Sequence, residues 1–156
     1  MAGNNQIKKR FLDQLSLYIN SAGESNPKVS KRGVDWHLNH TIKSMNSICI
    51  ALMESNPENY RPRFSLVKSF ILLTGYIPRG RGKSPKPFDN KENTPSDRLR
   101  EMLVEAEKNY DAIDGLPANS HFFHPYFGHL NLKQAKKFIR IHSVHHLKII
   151  RDIIGR

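Results

Sequence analysis

Apolar residues recur every three or four positions through four long stretches of this chain, the spacing that lines one face of a helix. Ile7, Phe11, Leu12, Leu15, Tyr18 and Ile19 predict a first helix from about Asn5 to Ala22, and Gly23 with the polar stretch through Pro27 and Gly33 ends it. Val34, Leu38, Ile42, Met45, Cys49 and Leu52 form the stripe of a second helix, starting near Val34 or Asp35 and running to Glu54, before Asn56-Pro57. The apolar segment from Phe64 predicts a shorter helix closed by Gly75. Thr94 and Pro95 read as the N-cap and first position of another, which carries Leu99, Met102, Leu103, Ala106 and Tyr110 and stops before Gly115. The last helix opens at Asn131, with Gln134 three residues on, and Gly155 is placed to end it. Nothing alternates strongly enough to argue a sheet. The expectation is an all-α fold, an up-down four-helix bundle with a short extra helix and long loops, forming one domain over residues 1–156.

Two connections stand out. Residues 76–94 are rich in Gly and Pro, and long connections in compact domains are often functional. Arg79, Arg81, Lys83 and Lys86 concentrate positive charge there. If this basic loop, 79–86, overhangs a site it offers a receiver for a carboxylate or phosphate; the plainer reading is a solvated loop. The segment from Pro117 to Leu130 holds three histidines and four aromatic residues, too many for an ordinary solvent loop, and is expected to pack back and close one end of the bundle.

Composition narrows the function classes. The chain carries 25 Lys and Arg against 14 Asp and Glu, a net charge of +11 that favours anionic partners. The basic residues are spread over every segment, with no arginine-rich helix or aromatic-basic signature, which speaks against nucleic acid. No apolar run approaches the length of a membrane span and no signal-peptide core follows the first charges, so no membrane is expected and the default compartment is cytoplasmic. The single cysteine, Cys49, excludes an intramolecular disulfide and falls on the core stripe of its helix, as a small buried hydrophobe would.

The chemistry lies in the histidines. Ala135, Phe138, Ile139, His142, His146, Ile149 and Ile153 share one stripe of the last helix, so the imidazoles of His142 and His146 point toward the core, roughly 6 Å apart along the axis. A buried polar group left unpaired costs about 1–3 kcal/mol, so this pair needs hydrogen-bond partners or a divalent metal. The HxxxH spacing is common among metal ligands, but Ser143 stands where a zinc protease needs glutamate, and protease chemistry is disfavoured. A tightly held metal wants a third protein ligand, and the second helix offers two candidates. His37 lies at the edge of the apolar stripe, and His40 further round, on a face of small residues with Ser44, Ser47 and Ala51. His145 lies off the stripe, as a surface or supporting histidine would. His124 precedes a proline and either holds its loop or sits at a pocket mouth. Trp36 reads as a packing residue at the helix start.

Leu38-Asn-His40-Thr-Ile-Lys-Ser-Met45, His124-Pro-Tyr-Phe-Gly-His-Leu130 and His142-Ser-Val-His145-His146-Leu147 resemble segments of a DinB-like family of unknown function, within the DinB superfamily of four-helix bundles. The resemblance is strongest from Phe123 to the C-terminus and around His40. It implies a three-histidine site of His40, His142 and His146, and it favours His40 over His37 as the ligand from the second helix. The ion implied is nickel, zinc or iron, and a low-molecular-weight thiol is a further possible cofactor. A metal-dependent hydrolase or thiol-dependent transferase acting on a small molecule is the activity expected, the basic charge favours an anionic one, and the resemblance allows a homodimer. The competing expectation is a non-catalytic metal-binding or stress-response protein.

Overall fold

The structure is a computed structural model that describes residues 2–80 and 93–155, with side chains from Arg10 onward. The side chain of Ile7, and all of Arg81, Lys83 and Lys86, lie outside that range. The described chain is mostly helical: α1 (Ala2–Tyr18), α2 (Val34–Glu54), α3 (Leu66–Thr74), α4 (Ser96–Ala112) and α5 (Leu132–Ile154), with two short strands, β1 (His121–His124) and β2 (Gly128–Asn131), before α5.

The long helices share one core. Leu15 and Ile19 of the first segment, Leu38, Ile42 and Leu52 of α2, Leu99 of α4, and Ile139, Leu147 and Ile150 of α5 are fully enclosed. Each such side chain contributes roughly 1.5–3 kcal/mol by leaving water. The helix α2 is central, packing against both α4 and α5. No helix among the described residues is long and apolar enough to cross a membrane.

Local signals explain where the elements begin and end. At the start of α5 the Asn131 side chain accepts from Gln134 N–H at 3.0 Å while the Gln134 side chain accepts from Asn131 N–H at 3.2 Å, a reciprocal capping box. Gly155 ends the helix at φ 72°, a left-handed conformation that costs glycine little. The connection before α2 folds back on that helix: Val34 N–H donates to Glu24 O and Asp35 N–H to Ala22 O. Gly33 sits at this crossing, where a Cβ would lie 2.8 Å from an Asp35 carboxylate oxygen. Asn26 organises the loop, its side-chain oxygen accepting from Lys28 N–H and its carbonyl from Val29 and Ser30 N–H.

Three expectations are corrected. The aromatic segment forms an antiparallel hairpin where no sheet was expected, a small addition to a mostly helical fold. Phe122 and Leu130 face each other across it, both buried, while Phe123 and Tyr126 are exposed. The turn closes with Phe127 N–H donating to His124 O, Pro125 supplies a φ suited to the turn's second position, and Gly128 at φ 70° leads back into pairing. Thr94 does not cap α4: its hydroxyl accepts from Asn39 Nδ2 at 2.7 Å, tying the chain to α2, and Pro95 occupies the cap position with no side-chain bond. The first helix becomes a 3-10 turn at Ile19–Ser21 instead of continuing as α-helix to Ala22.

The helix α3 buries Ile71 and Lys68 but turns most of its other apolar side chains outward. Its Lys68 is buried, donating through Nζ to Arg63 O at 2.6 Å, while Phe64 and Leu73 are 84% and 83% exposed and Leu66, Val67 and Phe70 also face outward.

Candidate metal centre

Three imidazoles from two helices converge on one point. The Nε2 atom of His142 lies 3.1 Å from Nε2 of His40 and 3.2 Å from Nε2 of His146. One ligand atom from each of the three lies within 4.8 Å of the others. Helix geometry brings His142 and His146 together, four residues apart on α5, and the packing of α2 against α5 supplies His40. His40 and His146 are buried, and His142 is partly accessible as a residue.

These contacts do not balance as hydrogen bonds alone. A neutral imidazole nitrogen carries either one proton or one lone pair, and so makes one good in-plane hydrogen bond. The Nε2 atom of His142 nevertheless faces two others at bonding distance. A cation receiving all three lone pairs removes the conflict, and tetrahedral ligation at about 2.0–2.1 Å sets neighbouring nitrogens roughly 3.3 Å apart. The donor set therefore fits a divalent ion. Protonation is consistent with this: burial first, then the neighbouring histidines, holds His142 and His146 well below the usual imidazole range, which leaves their lone pairs free at neutral pH.

Each cluster imidazole is held by a neighbouring ring. Trp36 lies flat on His40, the rings 4.9 Å apart and 4° from parallel, with the Arg32 guanidinium 5.5 Å from the indole centre. Phe138 stacks on His142 at 5.6 Å. Behind His146 stands His37, whose Nδ1 is 2.9 Å from Nδ1 of His146, and whose Nε2 is 2.9 Å from the Ser30 hydroxyl. Burial, then the His40 charge, pulls His37 down to about 4. Both His37 nitrogens are thus engaged away from the point where the other three meet.

The remaining histidines divide. His145 is half-buried, its ring 5.0 Å from that of His146, and burial followed by the Arg79 charge lowers it to about 4. It borders a cavity of about 490 Å³ walled also by Tyr76, Ile77, Arg79 and Lys148. Arg79, the only residue of the basic quartet within the described range, pairs there with Asp152 at 2.7 Å. His124 holds its own turn, accepting from Tyr126 N–H and stacking on Phe127 at 3.9 Å, and burial lowers it to about 4. Its ring also meets Phe138 edge-on, so the hairpin braces the residue that stacks on His142. His121 and His129 pack together beneath Tyr60, on the far face of the hairpin from the buried Phe122. Cys49 is buried, and its thiol is pushed up to about 12 by that burial.

Sequence reasoning passed over Trp36 as a site residue, although its spacing of four from His40 signals a shared face. It also passed over Ser30, for which no local signal exists. No protein-family model, no curated protein and no solved structure matches this chain significantly.

Proposed function

We propose that His40, His142 and His146 hold a divalent nickel, zinc or iron ion, and that the chain is a metal-dependent hydrolase or thiol-dependent transferase built as the up-down bundle of the DinB-like proteins it resembles. The observation that carries this reading is the single His142 nitrogen facing two others at 3.1 and 3.2 Å. Three neutral imidazoles leave the ion its full double charge, and such an ion supplies a Lewis acid that activates a nucleophile and polarises a substrate. The protein's own part is to hold three lone pairs in place with stacked Trp36 and Phe138. A small anionic substrate suits the net charge of +11 and the Lys148 ammonium bordering the cavity beside His145.

Elemental analysis of untagged protein, as purified and after incubation with each of the three metals, tests the reading. Close to one ion per chain is expected in the wild type, lost in His40→Ala, His142→Ala and His146→Ala. A wild type that takes up none of them removes the reading. Metal without turnover of any ester, amide or thiol acceptor would leave the non-catalytic metal-binding or stress-response protein as the better description.

A further inference from the structure

His37 has no place among the three converging nitrogens, yet it is the most enclosed of the histidines on α2 and is bonded on both sides. We propose that His37 is a positioning residue, which with Ser30 locks His146 into the tautomer that presents its Nε2 lone pair to the cluster. The inference rests on the metal reading for its purpose and on the hydrogen bonds for its content.

The proton assignments follow in sequence. If Nε2 of His146 faces the cluster as a lone pair, its proton is on Nδ1 and is donated to Nδ1 of His37 at 2.9 Å. His37 then carries its own proton on Nε2 and donates it to Ser30 Oγ at 2.9 Å. Ser30 Oγ also accepts from Arg32 N–H at 3.1 Å, so the end of the relay is fixed by backbone. The Asn26 turn holds Ser30 itself in place through Ser30 N–H at 3.0 Å. The reverse assignment, with Nδ1 of His37 as donor, moves the His146 proton onto Nε2 and into a cluster already crowded with nitrogens.

Metal-bound imidazoles usually donate their second N–H to a carboxylate, a backbone carbonyl or water. Here the acceptor is a second neutral imidazole. It orients the ring as a carboxylate would, but adds no negative charge to offset the ion. Thr41 adds a further brace, donating its hydroxyl to His37 O at 2.7 Å.

The test uses the whole chain as wild type, His37→Leu and His37→Asn, the last keeping a side-chain oxygen near the position of Nδ1. Long-range proton–nitrogen NMR of the metal-free protein reads the tautomer of His146 directly. Wild type and His37→Asn are expected to show the Nδ1–H form, and His37→Leu to lose it. Affinity for cobalt(II), with its visible spectrum as a geometric signature, is expected to fall about 10–100-fold in His37→Leu and to be largely restored in His37→Asn. A wild-type His146 protonated on Nε2 overturns the proposal whether or not metal binds. So does a His37→Leu variant with the wild-type tautomer, affinity and spectrum, or a folded His37→Asn that fails as badly as His37→Leu. A wild type with the Nδ1–H tautomer that takes up no cobalt, nickel, zinc or iron sinks the metal reading and leaves the positioning role standing.

Discussion

Lowering the pH from 7 to 5 is expected to destabilise the metal-free protein before any carboxylate is involved. His37 titrates near 6.5 when unfolded and near 4 when folded. The folded state therefore keeps it neutral, and the unfolded state binds the proton first. That contribution is fully present above about pH 6.5 and is lost as the pH falls toward 4. Between pH 7 and 5 the unfolded chain gains about 0.7 of a proton at this position and the folded chain about 0.1, a loss of about 2 kcal/mol. His124 and His145, lowered to the same range chiefly by burial but only half-buried, each add about 1 kcal/mol after discounting for solvent screening. His142 and His146 act in the same direction. A chain of 156 residues has about 8–23 kcal/mol to lose in all. A loss of about 4 kcal/mol lowers the melting midpoint by roughly 8–16 °C. Far-UV circular dichroism melts with chelator present, at half-unit steps of pH, measure this. Asp and Glu stay ionised through most of the window, which isolates the imidazoles. A midpoint unchanged between pH 7 and 5, or higher at pH 5, refutes the buried neutral cluster.

Three further outcomes are expected. Cys49, enclosed and with its thiol near 12, should resist a thiol reagent in the native protein at pH 8 and react fully once unfolded; rapid native labelling would show an open core at α2. Phe64→Ser together with Leu73→Ser should change the monomer's stability by no more than about 1 kcal/mol in urea titration, because both side chains already face water; a loss of several kcal/mol would mean that this face is covered. Asn131→Ala removes one half of a capping box and should cost about 1 kcal/mol, with the fraying read by amide exchange in the first turn of α5; unchanged protection there would assign the helix start to the hairpin instead.

Helix ends were legible where the signal is local. Asn131 with Gln134, Gly75 and Gly155 act within one turn of the backbone they cap, so spacing alone reveals them. The hairpin was not legible, because each strand has four residues and only Phe122 and Leu130 alternate inward, too short a run for a period of two to stand out among so many aromatics. Thr94 misled because its hydroxyl had a rival partner, Asn39, far away in sequence.

The centre shows the same division more sharply. His142 and His146 announce themselves by spacing, since one helix carries both. His37 and His40 do not, because apolar periodicity names the face of α2 that meets oil and is silent about a second buried face. The residues from His37 to Ile42 are all buried, so this turn of α2 is enclosed on every side between α4 and α5. Four of those six residues are polar, and enclosing a polar side chain without a partner is costly. Asn39 finds Thr94, Thr41 finds a carbonyl of its own helix, and His37 and His40 find His146 and His142 across more than a hundred residues of sequence. The buried polar turn is thus the sequence-level trace of the centre: a helix that stays inside while its side chains stop being apolar has to meet matching polar groups on its neighbour. On α5, the two histidines of the HxxxH pair are what meets that turn, His146 at His37 and His142 at His40.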